Sequence, residues 1–171
     1  MSWEAKLQPN LVLGESIVSL TPDILQEYDL KGLVLDVDET LVPFREQEVS
    51  PEVAQWVEEI RDRASLWLVS NNLSENRIGS IARALNLPYI IGARKPSRRK
   101  LRQAVVQMQL PVQRVAMVGD RLFTDVLAAN RLGMFSILVE PMVDPTQLHS
   151  YSLRNFEVQV SQWLGVTLSG K

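Results

Sequence analysis

The 171-residue chain has no cysteine, a single histidine, few aromatic residues and almost no net charge. The absence of cysteine removes disulfides, thiolate metal sites and a cysteine nucleophile, and accords with a reducing compartment. A net charge of −2 gives no global attraction toward nucleic acid or membrane. No apolar run approaches the ~18 residues of a membrane span, and Met1–Lys6 lacks the apolar core of a signal peptide. The expectation is a soluble cytoplasmic protein, peripheral to a membrane at most. His149, late in the chain and outside every motif below, reads as a surface or packing residue.

What is present is an ordinary globular balance, 46% hydrophobic and 22% charged, enough for one domain with a real core. Residues 1–30 stand apart as short apolar pieces broken by Pro and Gly. They read as a segment packing on or beside a core domain at 31–171, covering an edge or face of its sheet. From there the pattern is regular. Strands are expected at 32–36, 66–70, 89–91, 115–118 and 136–139, all apolar and rich in branched residues, as suits strands covered on both faces. Helices are expected at 52–63 behind Ser50 and Pro51, at 75–85 behind Ser74, at 98–109 behind Ser97, and at 122–132 before Gly133. Trp56 and Trp67 fall on a helix and a strand and read as core. Strands alternating with helices imply a Rossmann-like, doubly wound parallel α/β sheet.

Ligands of such sheets bind beyond the carboxyl ends of the strands. Those ends carry Asp36, Asp38 and Thr40; Ser70, Asn71 and Asn72; Lys95; and Gly119, Asp120, Thr124 and Asp125. Two aspartates one residue apart after a buried strand repel, and they invite a cation or acid–base chemistry. Carboxylates, small hydroxyl and amide donors and one lysine are what Mg²⁺ and phosphate require. Asp36 and Asp120 can give side-chain oxygens to Mg²⁺, and Asp38 its backbone carbonyl. Asp36 can attack phosphorus, and Asp38 can move the proton. Ser70, Asn71 and Lys95 can hold phosphate oxygens, with Thr40 supporting and Asp125 orienting Lys95 or a metal-bound water.

The ordered set Asp36-Val-Asp-Glu-Thr-Leu, Ser70-Asn71, Lys95-Pro96 and Gly119-Asp120-Arg-Leu-Phe-Thr-Asp125 resembles the four motifs of haloacid dehalogenase-like (HAD) phosphatases, over roughly residues 30–140. The resemblance implies Asp36 as nucleophile, Asp38 as acid/base, Ser70 and Lys95 as phosphate holders, Asp120 as metal ligand and Mg²⁺ as cofactor. The short stretches after Leu41 and between Lys95 and Asp120 leave no room for a large cap domain, so a capless or minimally capped site is expected. Leu41-Val-Pro-Phe, the Gly119 motif and Asn130-Arg-Leu-Gly resemble more narrowly the subfamily IIIA phosphatases of YqeG type, which include phosphatidylglycerophosphate phosphatases. That pattern carries Asn where this chain has Glu39. The substrate class it implies is a phosphorylated lipid headgroup at a membrane surface. Two other readings share the motifs: a phosphatase of a soluble metabolite or phosphoprotein, and a binding module without turnover. The intact motif set argues against the module.

Arg94, Lys95, Arg98, Arg99, Lys100 and Arg102 place six cations in nine residues, which leaves −8 on the rest of the chain (−2 less six positive charges). The run reads either as a solvated helix face or as a docking strip for an anionic surface. No aromatic residues interleave with it, which argues against nucleic acid. Nothing in the sequence specifies an oligomer.

Overall fold

The structure, a computed structural model, describes residues 1–142 and 148–169, with backbone alone for 148–152. The side chain of His149 therefore lies outside the described residues. Six strands form one sheet: β1 (Leu11–Val12), β2 (Gly32–Leu35), β3 (Ser65–Val69), β4 (Tyr89–Ile90), β5 (Val115–Gly119) and β6 (Phe135–Leu138). Their order is β1-β6-β5-β2-β3-β4, and every pairing is parallel. β2 sits at the centre, with Leu35 beside Leu68 of β3 on one side and Val118 of β5 on the other.

Helices cover both faces, as parallel strands require. Alternation along β2 sends Leu33 and Leu35 into one apolar cluster and Val34 into the other. The first cluster takes Val53, Trp56, Val57 and Ile60 of α3 (Pro51–Arg61) and Ile78, Ile81, Ala82 and Leu85 of α4 (Glu75–Leu85). The second takes Leu101, Ala104 and Val105 of α5 (Arg99–Met108) and Ala128 and Ala129 of α6 (Leu127–Leu132). Trp67 is only half-buried, packed against the second cluster. Ser50 and Ser74 cap α3 and α4, accepting from the N–H of Val53 and Arg77.

Residues 1–30 contribute to the sheet itself. β1 was not expected, because two residues are too short for an alternation to register; it forms through pairing with Ile137 and Leu138. Ile17, Leu20, Leu25 and Leu30 join the larger core, and Trp56 Nε1 donates to Leu20 O at 2.8 Å. Asn130 holds the segment from the other side, donating to Lys6 O at 2.8 Å and Gln8 O at 2.9 Å while accepting from Ser136 Oγ at 2.7 Å.

Two helix expectations are corrected. Ser97 does not cap α5. The helix begins at Arg99, behind Arg98, without a side-chain cap, and Ser97 Oγ lies 3.5 Å from Arg99 N. The expected helix at 122–132 is two pieces: a wide π-type turn at Leu122–Val126, then α6. An extra residue per turn rotates Asp125 back beneath Gly119, toward the strand ends. The last helix, α7 (Leu148–Trp163), follows β6, and two short helices, α1 (Trp3–Leu7) and α2 (Pro22–Glu27), flank β1. The stretches open to a cap hold a loop at 36–50 and α5; among the described residues no inserted domain covers the strand ends. No described helix is long and apolar enough to cross a membrane.

Candidate active site

Asp36 follows β2 directly, and its N–H still bonds Val118 O at 2.9 Å. Ser70 follows β3 in the same way, with its N–H on Ile90 O at 3.0 Å. The sheet thereby brings the residues after β2, β3, β4 and β5 to one edge. They meet around a cavity of about 380 Å³ lined by Asp36, Asp38, Ser70, Asn71, Lys95 and Asp120, together with Glu39, Phe44, Arg121, Thr124 and Leu153.

Lys95 is the centre of charge. It is 5% exposed, so it does not belong to the solvated part of the basic run. Its Nζ lies 2.6 Å from Asp125 Oδ1 and 2.9 Å from Asp36 Oδ1. Burial alone lowers an ammonium, but Asp125 and Asp36 override it and hold Lys95 above the ordinary lysine value. Its backbone is clamped by Asn71, whose Oδ1 accepts from Lys95 N at 2.7 Å and whose Nδ2 donates to Lys95 O at 3.1 Å. The Asn71 side chain thus engages Lys95 through its oxygen and one N–H, while Asn71 also lines the cavity.

Asp36, Asp120 and Asp125 are all buried, and each brings an oxygen to within 4.8 Å of the others. Burial, then the charge of Asp36, pushes Asp125 up to about 7 despite Lys95. Burial, then Asp36 and Asp125, raises Asp120 well above the ordinary aspartate value. Three carboxylates facing one ammonium leave a surplus of buried negative charge. A hard divalent cation with oxygen ligands fits that surplus and that donor set. Thr40 Oγ1 lies 3.3 Å from both Asp36 Oδ2 and Asp120 Oδ1, where its single proton serves one at a time.

The Asp38 side chain stands outside this carboxylate group. Arg77 of α4 donates to its Oδ1 at 2.7 Å, and Asn72 Nδ2 to its Oδ2 at 3.1 Å. Arg77 also donates to the carbonyls of Pro43 and Glu46, which ties the 43–46 loop to the same point. Sequence reasoning assigned no role to Arg77 or Asn72. An arginine in the first turn of an exposed-faced helix carries no local signal that a carboxylate far away in sequence will meet it. Ser70 is buried, and its Oγ accepts from Asn72 N at 3.1 Å.

Glu39 has φ 65°, a left-handed conformation that Asn tolerates better than Glu. Its Oε1 accepts from Phe44 N at 3.2 Å, and its buried Oε2 has no partner among the described residues. Burial above all raises its carboxyl. On the far wall Arg121 pairs with Glu157 of α7 through two nitrogens.

Arranged this way, the site gathers the Asp36 carboxylate and the Lys95 ammonium at 2.9 Å, the Ser70 hydroxyl beside them, and an acidic group whose surplus charge suits a divalent cation. Comparison with known proteins agrees. A family described as HAD-hydrolase-like matches residues 92–156. The Bacillus subtilis protein named "Probable phosphatase YqeG" is 36% identical over 129 residues, 75% of this chain and 74% of that protein. Phosphatidylglycerophosphate phosphatase 1 of Chlamydomonas reinhardtii, a chloroplast protein, is 31% identical over 127 residues, covering 69% of this chain and 47% of that longer protein. The mitochondrial phosphatidylglycerophosphatase GEP4 of Saccharomyces cerevisiae is 27% identical over 149 residues, 80% of this chain and 79% of that one. Among solved structures, the cobalt-bound deoxy-D-mannose-octulosonate 8-phosphate phosphatase of Haemophilus influenzae superposes with a TM-score of 0.52 at 12% identity. It covers 79% of this chain and 91% of that one, which is a likeness of fold.

Proposed function

This chain belongs to the HAD-like phosphatases of YqeG type, and on that premise we propose that it hydrolyses phosphatidylglycerophosphate to phosphatidylglycerol through an aspartyl-phosphate on Asp36, with Mg²⁺ as cofactor. The observation that carries the reaction is the placement of the Asp36 carboxylate 2.9 Å from the buried Lys95 ammonium, in a cavity shared with Ser70, Asp38 and Asp120. The lipid substrate is supported by the names of two relatives and by the absence of any inserted domain over the cavity among the described residues.

In the first step an Asp36 oxygen forms a bond to phosphorus as the bond from phosphorus to the ester oxygen breaks. Asp38 gives its proton to the departing alkoxide. In the second step Asp38, now a carboxylate, takes a proton from water. The water oxygen bonds to phosphorus, the bond from phosphorus to the Asp36 oxygen breaks, and phosphate leaves with Asp36 restored as a carboxylate. Lys95 and Ser70 hold the equatorial oxygens, whose charge most needs stabilising as phosphorus is displaced. Asp36, Asp120 and the Asp38 carbonyl would hold Mg²⁺, which offsets the repulsion between Asp36 and the incoming phosphate and polarises the phosphoryl group. Asp125 keeps Lys95 charged and fixed in place.

The test is phosphate release by the purified protein with Mg²⁺, from phosphatidylglycerophosphate in mixed micelles and from a panel of soluble phosphomonoesters. Preferential release from the lipid, lost in Asp36→Asn, supports the whole reading. Release from soluble esters alone keeps the phosphatase and discards the lipid. No release from any ester overturns the reaction.

A further inference from the structure

Large apolar side chains stand in the open on the elements that border the cavity. Phe44 is 53% exposed and Leu153 48%, and both line the cavity that holds Asp36. Phe156, one turn along α7 from Leu153, is 60% exposed. Leu73 is 79% exposed and directly follows Asn72, whose amide bonds Asp38. These four come from three separate elements: the loop after β2, the loop after β3, and α7. Nothing in the local pattern of any one of them demands an exposed apolar residue. Scattered exposed leucines need no explanation, but Phe44 and Leu153 on the wall of a polar cavity, with Leu73 and Phe156 exposed on the neighbouring loop and the same helix, mark an interaction site.

The exposed charge on the segment that follows β4 and carries Lys95 is positive. With Lys95 buried in the site, the exposed members of the basic run are Arg94, Arg98, Arg99 and Arg102. Arg94 immediately precedes Lys95, and α5 begins at Arg99, so the run starts at the cavity edge of the sheet. Arg131, also exposed, is pinned alongside: Arg98 donates to its carbonyl at 3.1 Å, and Arg131 donates to Pro96 O at 3.2 Å. The Phe44 loop itself carries Glu46 and Glu48 next to Arg45, so the excess of positive charge lies on the α5 side.

We propose that this edge is an interfacial docking surface for an anionic bilayer, in which Phe44, Leu73, Leu153 and Phe156 enter the headgroup region and the arginines at 94–102 meet anionic lipid. The reading rests on the phosphatase assignment and adds to it how a membrane-held phosphate reaches a recessed Asp36. Apolar burial and electrostatic attraction act together at such surfaces, and neither suffices alone without a span or anchor. A soluble ester needs neither feature. Charge complementarity selects an anionic membrane over a neutral one, and the short side-chain reach suits shallow insertion rather than a span.

Co-sedimentation with phosphatidylcholine vesicles, with and without phosphatidylglycerol, tests this directly, using the full chain carrying Asp36→Asn so that binding is read apart from turnover. The expected result is binding to the anionic vesicles only. It should weaken on the order of a hundredfold in Arg98→Gln/Arg99→Gln/Arg102→Gln, and about tenfold or more in Leu73→Ser/Phe156→Ser. With Asp36 restored, both variants should hydrolyse a small soluble ester within about twofold of the parent, since none of these residues lines the cavity. Equal binding to neutral and anionic vesicles, or binding unchanged in both variants, overturns the docking surface. Release of phosphate from micellar lipid without any vesicle binding also overturns it while leaving the phosphatase intact. Anionic-selective binding without phosphate release from any ester supports the surface and overturns the reaction.

Discussion

Lys95 Nζ lies 2.6 Å from Asp125 Oδ1, with both side chains closed to solvent. The pair is held from opposite directions. Asn71 clamps the Lys95 backbone, and the π-type turn at Leu122–Val126 carries Asp125 back beneath Gly119. Lys95→Met removes the ammonium that bonds two of the three buried carboxylates. Partial protonation of Asp125 softens the loss, so the expected cost is about 3 kcal/mol of stability, at the lower end of the range for a broken buried pair. Urea unfolding measures it, and turnover should fall at least about a hundredfold with the loss of phosphate stabilisation.

Asp36→Asn should behave oppositely in its two readouts. Turnover disappears, falling at least about a thousandfold, because the amide cannot attack phosphorus. The melting temperature of the metal-free protein holds or rises, because one of three mutually repelling buried carboxylates becomes neutral. A variant with native turnover would end the aspartyl-phosphate mechanism.

The raised carboxyls set a pH dependence for the metal-free protein. Asp125 ionises near 3.8 when unfolded and at about 7 when folded. Between these values the folded state keeps a proton that the unfolded chain has lost. Stability from this group is therefore full below about pH 4 and falls as pH rises through 7. Asp120, also raised, acts in the same sense. Thermal melts without metal should drop by roughly 4–8 °C from pH 5 to pH 8, or about 2 kcal/mol at this chain length. Adding Mg²⁺ should restore much of that at pH 8 and little at pH 5, because the ligands must be deprotonated. A flat profile would contradict the surplus of buried charge.

Gly119→Ala tests the close approach that the turn imposes. A Cβ there would overlap the Asp125 carboxylate. Asp125 must shift, taking its contact with Lys95 along. The expected loss is about 1–3 kcal/mol of stability and about tenfold or more in turnover, read by unfolding and by phosphate release.

Arg77→Met releases both Asp38 and the 43–46 loop. If Asp38 protonates the leaving oxygen, the defect should grow with the basicity of that oxygen. Hydrolysis of an alkyl phosphate should fall about tenfold, while an aryl phosphate with a good leaving group changes little. Equal losses on both esters would make Arg77 a fold-stabilising residue alone.

Most of the architecture could be read from local pattern. Branched apolar runs marked five strands, serines at 50 and 74 marked two helix starts, and carboxylates at the strand ends marked the site. The misses share one cause. β1 exists only through its pairing with β6. The wide turn at Leu122–Val126 brings Asp125 beneath Gly119 and onto Lys95, a partner thirty residues away. Lys95 left the basic run because Asp125 and Asp36 drew it inside. None of these partners is near in sequence.

The order of elements, the parallel class of the sheet and the chemical types collected at its edge were determined by the sequence alone, since hydrophobic period and end-capping act over a few residues. Only the tertiary structure decided which oxygen faces which nitrogen. It set Asp38 against Arg77, engaged Asn71 with Lys95, and brought Phe44 and Leu153 to the wall of one cavity. Long-range charge pairing and shared exposure depend on the closing of the sheet, and that closing leaves no mark on neighbouring residues.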